Sequence, residues 1–125
     1  MGSEPEIYFY SHRRAATGYI YTYPLMERQP FASQMQRDMV REVESAAPEY
    51  LVLVWVPNSW LEYTESDRTI FNWIDHYTGE QMQLDGLVEL FPDNHSESHW
   101  DLAGGNIRFQ SAYWLAIFKR KQAAP

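Results

Sequence analysis

Cysteine is absent from this 125-residue chain. With it go disulfides, thiolate nucleophiles and cysteine-ligated zinc, although the compartment stays open because extracytoplasmic domains also fold without disulfides. No stretch approaches the roughly 20 consecutive apolar residues that span a bilayer, and no secretory leader heads the chain. The opening Met1-Gly2-Ser3 reads as the start of an excised segment, with any targeting information upstream. Positive charge is also scarce. A net charge of −7 argues against a general nucleic-acid binder, whose footprint is basic, and against unspecific adhesion to anionic lipid. There is no P-loop, no G-x-G-x-x-G after a strand and no G-x-S-x-G elbow, so the common phosphate-loop, dinucleotide and serine-hydrolase signatures are missing.

Large apolar side chains are plentiful. Hydrophobic residues make up 45% of the chain and aromatics 16%, too many for a disordered segment and enough for one core in a single domain over residues 1–125. Ile7–Tyr10 and Tyr19–Tyr23 are rich in aromatic and β-branched residues and are expected to be strands. Ser33 with Gln36 three residues on has the form of a capping box. Met35, Met39, Val43 and Ala47 continue as the apolar stripe of a helix that ends before Pro48.

Tyr50–Val56 is an unbroken apolar run, the pattern of a strand buried on both faces at the centre of a parallel sheet. Ser66 and Asp67 predict the start of a second helix, with Ile70, Phe71, Trp73, Ile74 and Tyr77 as its apolar face and Gly79 near its end. Met82–Phe91 predicts a strand with a bulge at Gly86, followed by a polar loop over Pro92–Gly105. Ile107–Phe109 and Ala112–Phe118 predict the last extended segments, and Lys119–Lys121 a solvated tail. The expected fold is thus α/β, a mixed sheet with parallel central strands and two main helices in the order β-β-α-β-α-β-β.

Three constellations are candidates for chemistry. Ser11, His12, Arg13, Arg14 and Thr17 lie in one loop before Gly18, and paired guanidinium forks suit phosphate or carboxylate oxygens; the competing reading pairs the arginines with Glu4 and Glu6 or leaves them in solvent. In Asp93–Asp101, His95 and His99 stand four apart among acids. A helix there would put both on one face for a zinc-like ion, but the Ser- and Asn-rich surroundings read as a solvated surface loop, and no metal is expected. Glu62, Glu65 and Asp67 follow the central strand near Trp60 and Tyr63, an arrangement compatible with sugar binding or two-carboxylate glycoside hydrolysis.

Gly2–Glu27, Gln34–Glu44 and Pro48–Leu61 together resemble the C-terminal soluble domain of large bacterial GT-C membrane glycosyltransferases, the dolichyl-phosphate-mannose protein mannosyltransferase and aminoarabinose transferase group. The shared pattern is Gly-x-x-Pro-x-Ile-Tyr, an arginine-bearing turn, a Tyr-x-Tyr segment and a helix ending before Pro-x-Tyr-hydrophobic. The first half of the chain carries this likeness well and the second half in outline. The resemblance implies a parent enzyme that moves a sugar from a polyprenyl-phosphate donor outside the cytoplasm, with its catalytic carboxylate in a transmembrane part that this chain lacks. On that reading the domain is an extracytoplasmic, non-catalytic accessory without a cofactor. It packs against the parent's transmembrane region or helps to hold a glycan acceptor or lipid phosphate. Arg13, Arg14 and Thr17 are the expected anion binders, and Tyr10, Trp60 and Tyr63 the expected sugar or interface platforms. The rival readings are a free-standing soluble α/β module for a phosphorylated small molecule and a small hydrolase built on Glu62, Glu65 or His12.

Overall fold

The computed structural model describes residues 1–102 and 107–122. Its main helices are α3 (Ala32–Ala46) and α5 (Thr69–Gln81), accompanied by three short ones, α1 (Glu6–Ser11), α2 (Tyr23–Met26) and α4 (Pro57–Trp60). The strands are β1 (Tyr50–Trp55), β2 (Met82–Leu90), β3 (Ser96–Trp100) and β4 (Tyr113–Arg120). They form one sheet in the order β1-β4-β2-β3, and every neighbouring pair is antiparallel. No helix among the described residues is long and apolar enough to cross a membrane.

The expected parallel centre is therefore overturned, and the topology gives the reason. β1, α5 and β2 do form a crossover, and β1 and β2 run in the same direction, since each is antiparallel to β4. The C-terminal strand slots between them, so no parallel ladder forms. The expected order β-β-α-β-α-β-β fails at its front as well. Ile7–Tyr10 lies in helix α1, and of Tyr19–Tyr23 the first four residues are irregular backbone while Tyr23 opens α2. Glu6 in the first turn favours the helix dipole, and His12 closes α1 in the left-handed region at φ 53°, its N–H turned back to the Phe9 and Tyr8 carbonyls. These local signals prevail over the aromatic preference for strands. Within the expected polar loop Pro92–Gly105, residues Ser96–Trp100 form edge strand β3, while Gly104 and Gly105 lie outside the described residues. Of the closing segments, Ile107–Phe109 is irregular and β4 starts at Tyr113.

β1 sits at the sheet edge, and its unbroken apolar run has another cause. Leu51 and Leu53 face the helices, whereas Val54 is covered from the opposite side by the N-terminal segment. The Met1 carbonyl accepts the Val54 N–H at 2.9 Å and the Met1 amine donates to the Val52 carbonyl, in the manner of a parallel bridge. The free edge of β1 is thereby partly covered, which protects it from pairing with another chain. Gly2 makes this close approach feasible. Its φ is +143°, and a Cβ there would come within 2.4 Å of the Glu4 carboxylate and the Ser59 hydroxyl.

The core lies between α3, α5 and the helix-side face of the sheet, with Met39, Val43, Leu51, Leu53, Ile70, Phe71, Ile74 and Met82 buried together. The bulge expected near Gly86 is present as a register shift between Leu84 and Gly86, opposite Phe118 and Ile117 of β4. The indole of Trp100 lies against Gly86, where a Cβ would meet the ring at 2.4 Å. The expected tail is also part of the fold: Arg120 Nε donates to the Pro48 carbonyl at 3.1 Å, and Lys121 Nζ donates to the Gly79 carbonyl at 2.7 Å. Lys121 thus neutralises the carbonyl end of α5.

The expected capping box serves a different helix. α3 begins at Ala32 after Phe31, without a side-chain cap. Ser33 donates instead to the Asp67 carboxylate, and fully buried Gln36 donates to the Leu25 and Asp67 carbonyls at 2.9 and 2.7 Å. The Gln36 amide oxygen accepts the Ile70 N–H at 2.9 Å, satisfying one of the free donors at the start of α5. Asp67 accepts the Thr69 N–H at 2.8 Å. The Ser33 hydroxyl, then the Thr69 donors, hold its carboxyl below the usual range. Gln36→Leu removes the buried polar atoms of the side chain and leaves three backbone groups unpaired. It is expected to destabilise the fold by about 3 kcal/mol, read from the urea midpoint at unchanged m-value.

Candidate functional site

Four of the residues singled out from the sequence, Ser11, Arg13, Arg14 and Thr17, come together in one cleft. The turn after α1 brings Arg13, Arg14 and Thr17 over the N-terminal half of β1 and the last turns of α3. The cleft measures about 430 Å³, with Ile7, Tyr8, Val43, Ala46, Leu51 and Val52 as its apolar walls and Glu4, Glu49 and the two arginines as its charged groups.

Arg13, Arg14 and Thr17 each have a distinct setting. Arg13 forms an ion pair with Glu49 at 3.3 Å, and its guanidinium lies 4.9 Å from the centre of the Tyr50 ring. Both partners are more than half exposed, so the pair adds little stability while orienting the fork. Arg14 has no acidic partner among the described residues and is exposed at the cleft wall. Thr17 donates to Glu42 Oε2 at 2.5 Å, and the same oxygen accepts the Gly18 N–H at 3.0 Å. Thr17 therefore fastens the arginine-bearing turn to α3. Neither Glu4 nor Glu6 pairs with the arginines; Glu4 instead accepts from the Ser59 hydroxyl at 2.8 Å.

A buried hydroxyl network positions the floor of the cleft. Ser3 Oγ donates to the Ser59 carbonyl at 2.7 Å and accepts the Thr22 N–H at 3.0 Å. Thr22 Oγ1 donates to the same carbonyl at 2.8 Å, and Ser59 Oγ accepts the Ser3 N–H at 3.0 Å. The network ties the N-terminal segment to α4 and to the chain entering α2, with its buried polar groups paired.

The remaining candidates lie elsewhere. Tyr10 is 77% exposed on α1, in edge-to-face contact with Phe9, and does not line the cleft. Trp60 is 4% exposed, donates through Nε1 to the Val54 carbonyl at 2.8 Å and packs on Phe71. It forms the back of a second cleft of about 430 Å³ whose rim includes Trp55, Asn58 and Tyr113. Tyr63 is half exposed beneath the Arg28 guanidinium and lines neither cleft. The carboxylates weighed for hydrolysis are already engaged: Glu62 with Arg68, Glu65 with Arg28, and Asp67 at the start of α5. His12 is the exposed C-cap of α1.

His95 and His99 stand on or beside an extended strand and have different partners. His95 Nδ1 meets Asp93, and its ring stacks on Phe91 at 4.5 Å. His99 faces Glu89, a residue the sequence reading passes over. The available signal is a carboxylate on the inward side of β2, two residues after buried Leu87. Glu89 is 1% exposed and accepts the Gln110 and Ser111 N–H groups at 2.5 and 2.9 Å. The Ser111 amide, with help from Gln110 and His99, outweighs burial and holds the Glu89 carboxyl below its usual range.

Glu42→Ala releases both Thr17 and Gly18. It is expected to cost about 1–2 kcal/mol and to speed amide exchange at Gly18 and Tyr19 while leaving β4 unaffected, as read by hydrogen-exchange NMR. Desolvation lowers the Met1 amine from 8.0 to about 5, outweighing the opposing pull of Glu4. Between these values the unfolded chain binds more protons than the folded one, so stability rises as pH increases from 5 to 8. The gain reaches up to about 4 kcal/mol. Urea titrations across that range should show the rise, and Nα-acetylation, which removes the charge, should flatten this part of the slope. Comparison with protein-family models, curated proteins and solved structures gives no match to this chain.

Proposed function

We propose that this domain is a non-catalytic binding module whose α1–β1 cleft takes an anionic group carried on an apolar body, the chemistry of a lipid phosphate. The observation that carries this reading is Arg14, a guanidinium without an acidic partner among the described residues, at the wall of a mainly apolar cleft. Arg13 lies beside it, already oriented by Glu49 and Tyr50. A forked donor above apolar walls suits a phosphate headgroup with the first part of its chain. The engagement of Glu62, Glu65 and Asp67 in ion pairs and a helix start favours binding over hydrolysis.

The corresponding biological role is that of an extracytoplasmic accessory domain in a membrane glycosyltransferase. There it would hold a polyprenyl-phosphate donor or a glycan acceptor against the parent's transmembrane region. The resemblance of the front half of the chain supports this role, because its arginine-bearing turn forms the cleft wall. The second cleft, with Trp55 and Tyr113 at its rim beside Asn58, has the aromatic and amide character of a sugar-binding surface and suits an acceptor.

The test uses the 125-residue chain with farnesyl phosphate, farnesol and inorganic phosphate as probes, followed by calorimetry and chemical-shift mapping. Farnesyl phosphate is expected to bind and to shift the amides around Arg13–Gly18 and Tyr50–Val52. Arg14→Ala should weaken it by about tenfold to a hundredfold, the worth of one charge-assisted contact, and Arg13→Ala should have a smaller effect because Glu49 already engages that fork. Equal binding of farnesyl phosphate by wild type and the Arg13→Ala/Arg14→Ala double variant rules the cleft out. Inorganic phosphate binding as tightly as farnesyl phosphate favours a soluble module for phosphorylated small molecules.

A further inference from the structure

At the end of the sheet away from the arginine cleft, β2 and β3 place two carboxylates directly opposite each other. Glu89 is paired in register with Glu97, and His99 is paired with Leu87, so all three side chains share the helix-side face. One ligand atom from each of Glu89, Glu97 and His99 lies within 4.8 Å of the other two. Like charges directly opposed on neighbouring strands are unfavourable, and Glu89 is buried, so solvent does little to relieve the repulsion.

Two features suggest that a cation relieves it. His99 Nε2 is withdrawn from solvent and lies 3.3 Å from Glu89 Oε2, an ion-pair contact without good hydrogen-bond geometry, and has no other partner among the described residues. Buried polar atoms are rarely left in this state. Glu89 is also held asymmetrically: Oε1 receives both backbone N–H groups of Gln110 and Ser111, while among the described residues Oε2 receives no backbone N–H and faces the imidazole at 3.3 Å. Backbone anchoring of one oxygen is how outer partners commonly aim the other at a metal.

We propose that Glu89, Glu97 and His99 form a site for a first-row divalent cation of the zinc type. One imidazole and two carboxylates, without thiolate, match that class better than calcium or magnesium, which prefer all-oxygen sites. Ligands about 2.1 Å from one ion lie roughly 3–3.5 Å apart, so the cluster needs a contraction of about an ångström, and exposed Glu97 is the side chain free to supply it. His95 Nε2 lies 3.7 Å from Glu97 Oε1 and is itself held by Asp93, which orients Glu97 from outside the site. With three protein ligands, the remaining position is open to water. The ion ties edge strand β3 to β2 and, through Glu89, to the Gln110–Ser111 backbone that leads into β4.

The test is calorimetric titration of the tag-free, chelator-treated 125-residue chain with zinc chloride and, separately, magnesium chloride, with thermal unfolding in parallel. One zinc ion per chain is expected to bind and raise the unfolding temperature, with no heat from magnesium. Single variants Glu97→Gln and His99→Ala should each weaken zinc by at least about tenfold, the loss that even outer partners cause, while His76→Ala leaves it unchanged. Both ligand variants alter exposed or half-exposed positions, and circular dichroism verifies that they fold. Zinc should also move the imidazole nitrogen resonances of His99 in the folded wild type. Absence of heat, binding unaltered in both ligand variants, or equal loss in His76→Ala overturns the proposal. The arginine cleft is not involved, so its failure in lipid-phosphate binding and failure here are separate results.

Discussion

Gln36 is the constraint on which the rest of the arrangement depends. Its amide is fully buried and makes three hydrogen bonds, to the Leu25 carbonyl at the end of α2, to the Asp67 carbonyl and from the Ile70 N–H at the start of α5. A buried amide is tolerable when its partners are complete, and here they belong to two other segments, α2 and the start of α5. α3 is thereby locked to α2 on one side and to α5 on the other. The position of α5 then fixes where Phe71, Ile74 and Tyr77 meet the sheet, and Trp73 Nε1 adds a second tie to Glu44 at 2.8 Å.

The parts legible in the sequence are those where one periodicity has no rival. The long helices show a repeating apolar stripe, although the buried face of α3 is Ala32, Gln36, Met39 and Val43 rather than a purely apolar one. Tyr50–Trp55 is recognisable as a strand, but its lack of alternation has two physical sources that look identical in a sequence. Burial by parallel neighbours and burial by an N-terminal cover both remove polar residues from the second face. The six-residue helix α1 is obscured because Ile-Tyr-Phe-Tyr has the composition of a strand, and its helical state rests on its termini. β3 is obscured for the opposite reason: Ser-Glu-Ser-His-Trp is a largely exposed edge and so resembles a loop.

The candidate cleft was partly legible in the same sense. Adjacent arginines before a glycine identify a turn with anion-binding donors, and the structure gathers Arg13, Arg14 and Thr17 at one wall. Long-range partners carried no local signal. Glu49 and Tyr50 orient Arg13, and Glu42 fastens the turn, from positions 25 to 37 residues farther along the chain. Trp60 shows the limit of reading a residue type alone. An indole in a connector suggests an exposed platform, yet α4 turns it inward to bond the Val54 carbonyl. The same N-terminal segment that floors the cleft also covers the edge of β1, so ligand access and protection of the sheet edge depend on one hydroxyl network.

The placement of β4 between β1 and β2 bears on how the chain becomes a sheet during synthesis. A ribosome delivers β1, α5 and β2 well before residues 113–120, yet β1 and β2 have no ladder with each other. Without β4, β1 and the β2–β3 pair have no ladder joining them. The Gln36 junction joins residues 25–70 alone, whereas sheet closure joins Tyr50 to Lys119 across most of the chain. Such non-local pairing is slow, and the waiting edges are exposed to other chains meanwhile. β4 acts as a keystone, because the sheet is continuous only once residues 113–120 pair with both neighbours.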